Sequence, residues 1–298
     1  MLDRESTFAD PEIVVMLKTR FVPVAIDQWY TRRQQDTEGE FYRKIAGQGP
    51  RNNFNSTTQG LYIADPSGKL IAFNNNRGPE RIRGLLNKAL EDYAPPKTEP
   101  LVRATTDEKY KAQLPAGGIV VRVGAQVTGG YLPTDDHWQK IFQNATARDN
   151  LWITANEQQI LKKGSVPTAL QQRIARFHLV DNTRGEPPTW TLAEIRALEM
   201  SIVDGEISGR VRLETDDHAR GYEASLRGTI AWNGSSIAKL DLLAEGQFWG
   251  AGTFTLKPPE GKFPLVIAFR LADGTDTADS IPPHASRGWI DGYLVPSR

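Results

Sequence analysis

The stretch FHLVDNTRGEPPTW, residues 177–190, is the strongest cluster of chemistry-bearing side chains in the chain. It holds His178, Asp181, Asn182, Arg184 and Glu186, then two prolines and a tryptophan. A histidine at the end of an amphipathic helix is a natural base near neutral pH, because the helix C-terminus raises its basicity. In that role Asp181 would orient His178, and Arg184 would stabilise a developing oxyanion. Arg184 and Glu186 are also spaced to form a fixed ion pair. The stretch contains no serine, so water or a distant residue would serve as nucleophile. The chain has no G-x-S-x-G elbow, no phosphate loop and no dinucleotide fingerprint. The same residues suit a structural role, because a helical pattern hands over to a strand pattern here. Such a junction needs a helix stop, rigid prolines and polar groups for loose backbone. The stretch is therefore expected to be a buckle between two domains. A metal-dependent or general-base hydrolase centred on His178–Glu186 is the alternative.

Other polar clusters are less specific. His137 and His218 each follow T-D-D, but adjacent side chains diverge and rarely ligate one ion. The sequence contains no H-x-x-x-H or H-x-H spacing, so no metal and no cofactor is assigned. In GQFWGAGTF, Phe248 and Trp249 stand between glycines. Trp249 is a candidate for stacking on a carbohydrate; the plainer expectation is one ring in the core and one over a sheet edge. The chain has no cysteine, which excludes disulfides, zinc–thiolate sites and thiol nucleophiles.

Lysine plus arginine and aspartate plus glutamate both number 36, so no net field draws in nucleic acid. No apolar run approaches the roughly 18 residues of a membrane span. The start, MLDRESTFADPE, is charged from its third residue and does not read as a signal peptide.

The elements that must position these residues follow from local patterns. ADPEIVVMLKTRF reads as a helix capped by Asp10, and FVPVAID as a strand. QQDTEGEFYRKIAG is a second helix ended by Gly47. GLYIADPSGKLIAF is a hairpin about Asp65-Pro66-Ser67-Gly68, and GPERIRGLLNKALEDYAPP is a helix that Pro95 and Pro96 stop. A linker begins near residues 94–100. GGIVVRVGAQVTGGY is a strand or strand pair; Thr154 with Glu157, and Thr191 with Glu194, form capping boxes ahead of EQQILKKG and EIRALEM. From about Met200 the period becomes two, with Asp-Gly and Asn-Gly turns.

The order helix, strand, helix, hairpin, helix resembles a thioredoxin-like domain over residues 1–94. RESTFADPEIVVML and RFVPVAID resemble the family's ESF-x-D-x-E-V helix and FV-x-V-x-V-D strand, and LYIADPSGKLIAF its strand pair with a D-x-x-G turn. Two departures matter. The family's Cys-x-x-Cys pair would fall at or before Met1 and is absent. The family's cis-proline ahead of the hairpin is replaced by Thr57, Thr58, Gln59 and Gly60. The resemblance thus implies a redox-inactive variant whose Thr57, Thr58 and Gln59 offer backbone edges to an extended peptide.

The expected architecture is α+β and multidomain. A thioredoxin-like domain spans 1–94, a mixed helical connecting region 95–190, and an all-β domain 191–298, the last an antiparallel β-sandwich or partly closed barrel. The expected function is a non-enzymatic binding or scaffold protein with a protein or peptide partner, a carbohydrate being the other ligand class. A third alternative is the remnant of a thiol-disulfide oxidoreductase with its cysteines upstream of Met1.

Overall fold

The computed structural model describes residues 6–94, 107, 109–110, 112–255 and 257–295. The chain clusters into two compact units that divide between Ala112 and Gln113. The linker expected near 94–100 lies, from residue 95 onward, outside the described residues.

In the first unit Asp10 caps helix α1 (Pro11–Arg20), its carboxylate accepting from the Ile13 N–H at 3.0 Å. A short turn of helix, α2 (Gln28–Thr31), precedes α3 (Thr37–Ala46), which Asp36 caps in the same way. Strands β1 (Leu61–Ala64) and β2 (Leu70–Asn74) form the expected antiparallel hairpin. Asp65 ties its turn by accepting from Ser67 N–H (2.8 Å), Ser67 Oγ (2.6 Å) and Lys69 N–H (3.0 Å). Gly68 supplies the left-handed φ of +83°. Helix α4 (Pro79–Glu91) lays Ile82, Leu86 and Ala89 against Ile13 and Ile63, and these five are the core. The strand expected over FVPVAID does not form. Its β-branched residues find no neighbouring strand, and the hairpin is the only sheet of this unit among the described residues. β-Propensity without a ladder partner does not make a strand.

In the second unit seven strands form one antiparallel sheet in the order β4-β3-β9-β8-β7-β6-β5. They are β3 (Ile119–Val127), β4 (Thr146–Ile153), β5 (Ile195–Val203), β6 (Glu206–Glu214), β7 (Gly221–Asn233), β8 (Ser236–Trp249) and β9 (Lys262–Leu271). Antiparallel pairing from about Met200 is as expected. The sheet does not close into a barrel: β4 and β5 are its edges and do not pair. Nor, among the described residues of this unit, is there a second sheet to pack on it as in a sandwich. Its apolar face is covered instead by helices α6 (Ala155–Lys162) and α7 (Thr168–Arg173), which continue into a π-helical turn (Ile174–His178) and the quoted stretch. Leu161, Leu170, Ile174, Leu179 and Trp190 lie in one core cluster with Leu242, Ile267 and Phe269 of the sheet. Once that face is buried a second sheet has nothing to cover.

One stretch left unassigned within the connecting region and one read as a helix are strands here. TARDNLWI is β4, inside what was expected to be the helical connecting region, so that β3 and β4 extend the sheet of the later strands. EIRALEM begins β5. Glu194 does accept from the Thr191 N–H (2.7 Å), as a capping box requires, but eight of the next nine residues then pair with β6. Tertiary pairing outweighs the local start signal. The close approach of strands β7 and β8 needs Gly246, since a Cβ there would lie 1.9 Å from the Glu223 carbonyl.

Candidate functional site

The chain from Thr168 to His178 widens from α-helix into a π-helical turn, closed by Leu179 N–H to Ile174 O at 3.0 Å. Such turns are frequent at functional sites because they rotate a side chain out of helical register. Here the turn faces His178 into the protein, where it is 2% exposed. Its Nε2 is 2.9 Å from the Tyr293 hydroxyl, on helix α8 (Ile290–Leu294), and its Nδ1 is 3.3 Å from Asp149 Oδ2, on β4. The other Asp149 oxygen accepts from the backbone N–H groups of Asn150 (2.8 Å) and His284 (3.0 Å). Burial pushes the Asp149 carboxyl up, but the His178 imidazole and these two N–H groups outweigh it and hold the carboxyl below its usual range. Burial drives the Tyr293 hydroxyl well above its ordinary value, which leaves it neutral. Beside it the Arg173 guanidinium, 5.4 Å over the Tyr293 ring, is paired with Glu157 and donates to Leu294 O at 3.2 Å. His178 is thus oriented by Asp149, not by Asp181. A partner 29 residues away on an edge strand leaves no local signal.

The depressed Asp149 carboxyl has a pH consequence. Its contribution to stability is fully present above the unfolded aspartate pKa of about 3.9 and is lost as pH falls through the folded value. The urea midpoint is expected to fall on acidification from about pH 5 to about pH 3, and to fall less steeply in Asp149→Asn. Equal slopes for the two proteins would remove Asp149 as the source.

Asp181 and Arg184 are brought together. They form a buried ion pair, and Asp181 Oδ1 also accepts from Thr183 N–H (3.1 Å) and Thr183 Oγ1 (2.7 Å), an Asx-type turn. Asp181 is 1% and Arg184 2% exposed, so this guanidinium has no approach for a substrate oxyanion. Glu186 does not pair with Arg184. It is exposed at the surface, with Oε1 3.1 Å from His284 Nε2 and 3.9 Å from Arg287 Nη1. The His284 bond holds its carboxyl below the usual range. The four residues therefore occupy three separate places, and only Glu186 reaches solvent.

Trp190 ends the stretch and stitches it down. Its N–H donates to Arg176 O (3.0 Å), its indole Nε1–H to Leu179 O (2.8 Å), and its carbonyl accepts from Arg176 Nε (2.9 Å). Arg220, just before β7, stacks 3.9 Å over the indole and donates to Pro188 O at 2.6 Å. The helices before this stretch and the strands after it belong to one unit. The stretch clasps a cover to its own sheet and does not buckle two units together.

The remaining candidates are also accounted for. Thr58 is buried: its N–H donates to Gln28 Oε1 (3.1 Å), its carbonyl accepts from Tyr62 Oη (2.7 Å), and its hydroxyl lies 2.6 Å from Tyr42 Oη. It offers no free edge to a peptide. Thr57 and Gln59 are exposed and bonded to each other through Gln59 N–H to Thr57 Oγ1 at 3.3 Å. Phe248 is in the core, while Trp249 lies half-buried over Gly221 with Lys262 Nζ 4.2 Å from its ring centre. In the two T-D-D-H turns Asp136 caps helix α5 (His137–Asn144) and Asp217 accepts from Thr215 Oγ1 and Ala219 N–H. Among the described residues no group of three or more His, Cys, Asp or Glu side chains is placed to hold a metal ion. No family model, no curated protein and no solved structure matches this chain.

Proposed function

We propose that this protein is a non-enzymatic polypeptide-binding module, and that its first unit receives an extended partner segment along Val22–Ile26. The observation that carries this reading is the state of VPVAI. Val22 is 89%, Val24 74% and Ile26 41% exposed. The flanking Phe21 (φ −130°, ψ 166°) and Asp27 (φ −83°, ψ 100°) are extended. Among the described residues none of the five makes a backbone hydrogen bond. Alternating β-branched side chains with unused backbone groups are a template for strand addition. Pro23 lacks an N–H, so the edge carrying the Val22, Val24 and Ile26 groups is the better one for pairing. A partner fits if it is extended and apolar at alternate positions. The order of α1, this segment, α3, the β1–β2 hairpin and α4 supports reading the unit as a thioredoxin-like domain without redox cysteines. The receiving edge is then 22–26, because Thr58 has spent its backbone groups.

The probe is a fluorescent peptide of alternating valine and threonine, titrated into the whole chain. Val24→Asp is expected to weaken binding by about tenfold or more. N-methylation of alternate peptide amides on the pairing edge is expected to abolish it. Equal affinity of Val24→Asp and the parent protein would refute the assignment.

A further inference from the structure

The two edges of the seven-stranded sheet are treated differently. The chain covers β4 itself: Asn150 Nδ2 donates to Ala278 O (2.7 Å) and Ile281 O (2.8 Å), and the Trp152 N–H points at Tyr293 Oη (3.4 Å). At the other edge, among the described residues, β5 pairs with β6 alone. Its guards against pairing are few: it has no proline or lysine, the charges of Arg196 and Glu199 are paired with Asp216 and Arg210, and its one irregularity, between Ile195 and Ala197, leaves 197–203 regular.

The β5–β6 turn decides which backbone groups point outward. Asp204 (φ +50°) and Gly205 (φ +81°) are both left-handed, as a two-residue type I′ hairpin requires. Val203 and Glu206 then close the turn as a bonded pair, and bonded residues alternate along the strand. Ser201 and Glu199 bond to β6, so Leu198, Met200 and Ile202 present their N–H and C=O groups away from the sheet. Gly164 lies alongside the Ile202 carbonyl, but its N–H is committed to Leu161 O (2.9 Å).

We propose that two copies of this chain join through β5, antiparallel and centred on Met200. In that register Met200 faces Met200 of the second copy and Leu198 faces Ile202, so every outward group of the three residues is bonded. The half-buried side chains of Leu198, Met200 and Ile202 continue the apolar face across the junction. On the polar face Glu199, already paired with Arg210 of its own copy, meets the uncharged Ser201, whose hydroxyl is bonded to Ser208, so no like charges are opposed. The register one step away sets Glu199 against Glu199, which like charges disfavour, and pairs Ile202 with Arg196 at the irregularity. Self-complementarity of both faces selects a second copy as the occupant.

The absence of native cysteine makes the test clean. At about 100 µM, well above a micromolar Kd, sedimentation should report twice the chain mass of 33.1 kDa. Directly opposed residues have Cα atoms about 5.5 Å apart, within disulfide reach. Met200→Cys should therefore cross-link to a dimer under mild oxidation. Val203→Cys, 65% exposed and so more open to random collision, should not. Met200→Pro removes an outward N–H together with a half-buried side chain, so it should give a monomer with a lowered unfolding midpoint, whereas Met200→Ala, which loses the side chain but keeps the N–H, should lower the midpoint and still dimerise. A monomeric mass across the concentration range, or equal cross-linking at positions 200 and 203, overturns the proposal.

Discussion

Arg184→Ala is expected to destabilise the second unit by about 3–5 kcal/mol, the cost of removing one member of a buried ion pair. The substitution leaves the Asp181 carboxylate, itself 1% exposed, with only the Thr183 N–H and hydroxyl. Against a total domain stability of about 5–15 kcal/mol this is a large share, and partial unfolding at ambient temperature is expected. Urea unfolding followed by circular dichroism measures it. The double replacement Asp181→Leu with Arg184→Met separates two meanings of the pair. A pair kept for structure is rescued when both charges leave together, since well-packed apolar substitutes often match a buried pair. A pair kept for chemistry would show instead a well-folded Arg184→Ala whose only defect is functional, and that outcome would sink the structural reading.

Trp190→Ala is expected to cost about 3–5 kcal/mol by cavity formation alone. The ring is fully buried, 6.3 Å from Phe248 by ring centres, and sandwiched under Arg220. Its loss also strips the Leu179 carbonyl of its indole donor, a further cost of about 1–3 kcal/mol for an unsatisfied buried group. Trp190→Phe keeps most of the volume but not the N–H, so it should fall between the two, and the difference from alanine measures the cavity. The same clasp holds the π-helical turn over the sheet. Hydrogen exchange should therefore speed up at Leu179 and Val180 in Trp190→Ala before it does in β7 and β8. Uniform acceleration would mean the stretch and the sheet unfold as one and that Trp190 is not a local clasp.

Features set by residues close in sequence are legible in it, and features that depend on distant partners are not. The Asp10 cap, the Asp65–Gly68 turn, the Thr154–Glu157 capping box and the Asn233-Gly234 hairpin all appear where side chain and backbone a few positions apart dictate them. Asp181 with Thr183 belongs to the same class. VPVAI and EIRALEM show the opposite. The first has the composition of a strand and lacks a ladder partner; the second has a helix start signal and is drawn into a ladder by β6. In the candidate site, His178 at a helix end was legible, and so was the density of charge after it. That the imidazole turns inward to Asp149 and Tyr293 was not, because those partners arrive from an edge strand and a C-terminal helix.

Composition and spacing alone settle that this chain does no thiol chemistry, carries no net charge and builds its later part from antiparallel strands. Tertiary structure decides that the most chemically suggestive stretch is sealed against its own sheet, while the exposed opportunities lie on a strand-like segment without a strand and on one uncovered sheet edge. The physical reason is range. Caps, turns and hairpins are set by bonds within a few residues, whereas burial and ladder pairing depend on which distant surfaces meet, and those surfaces determine whether a polar residue faces substrate or neighbour.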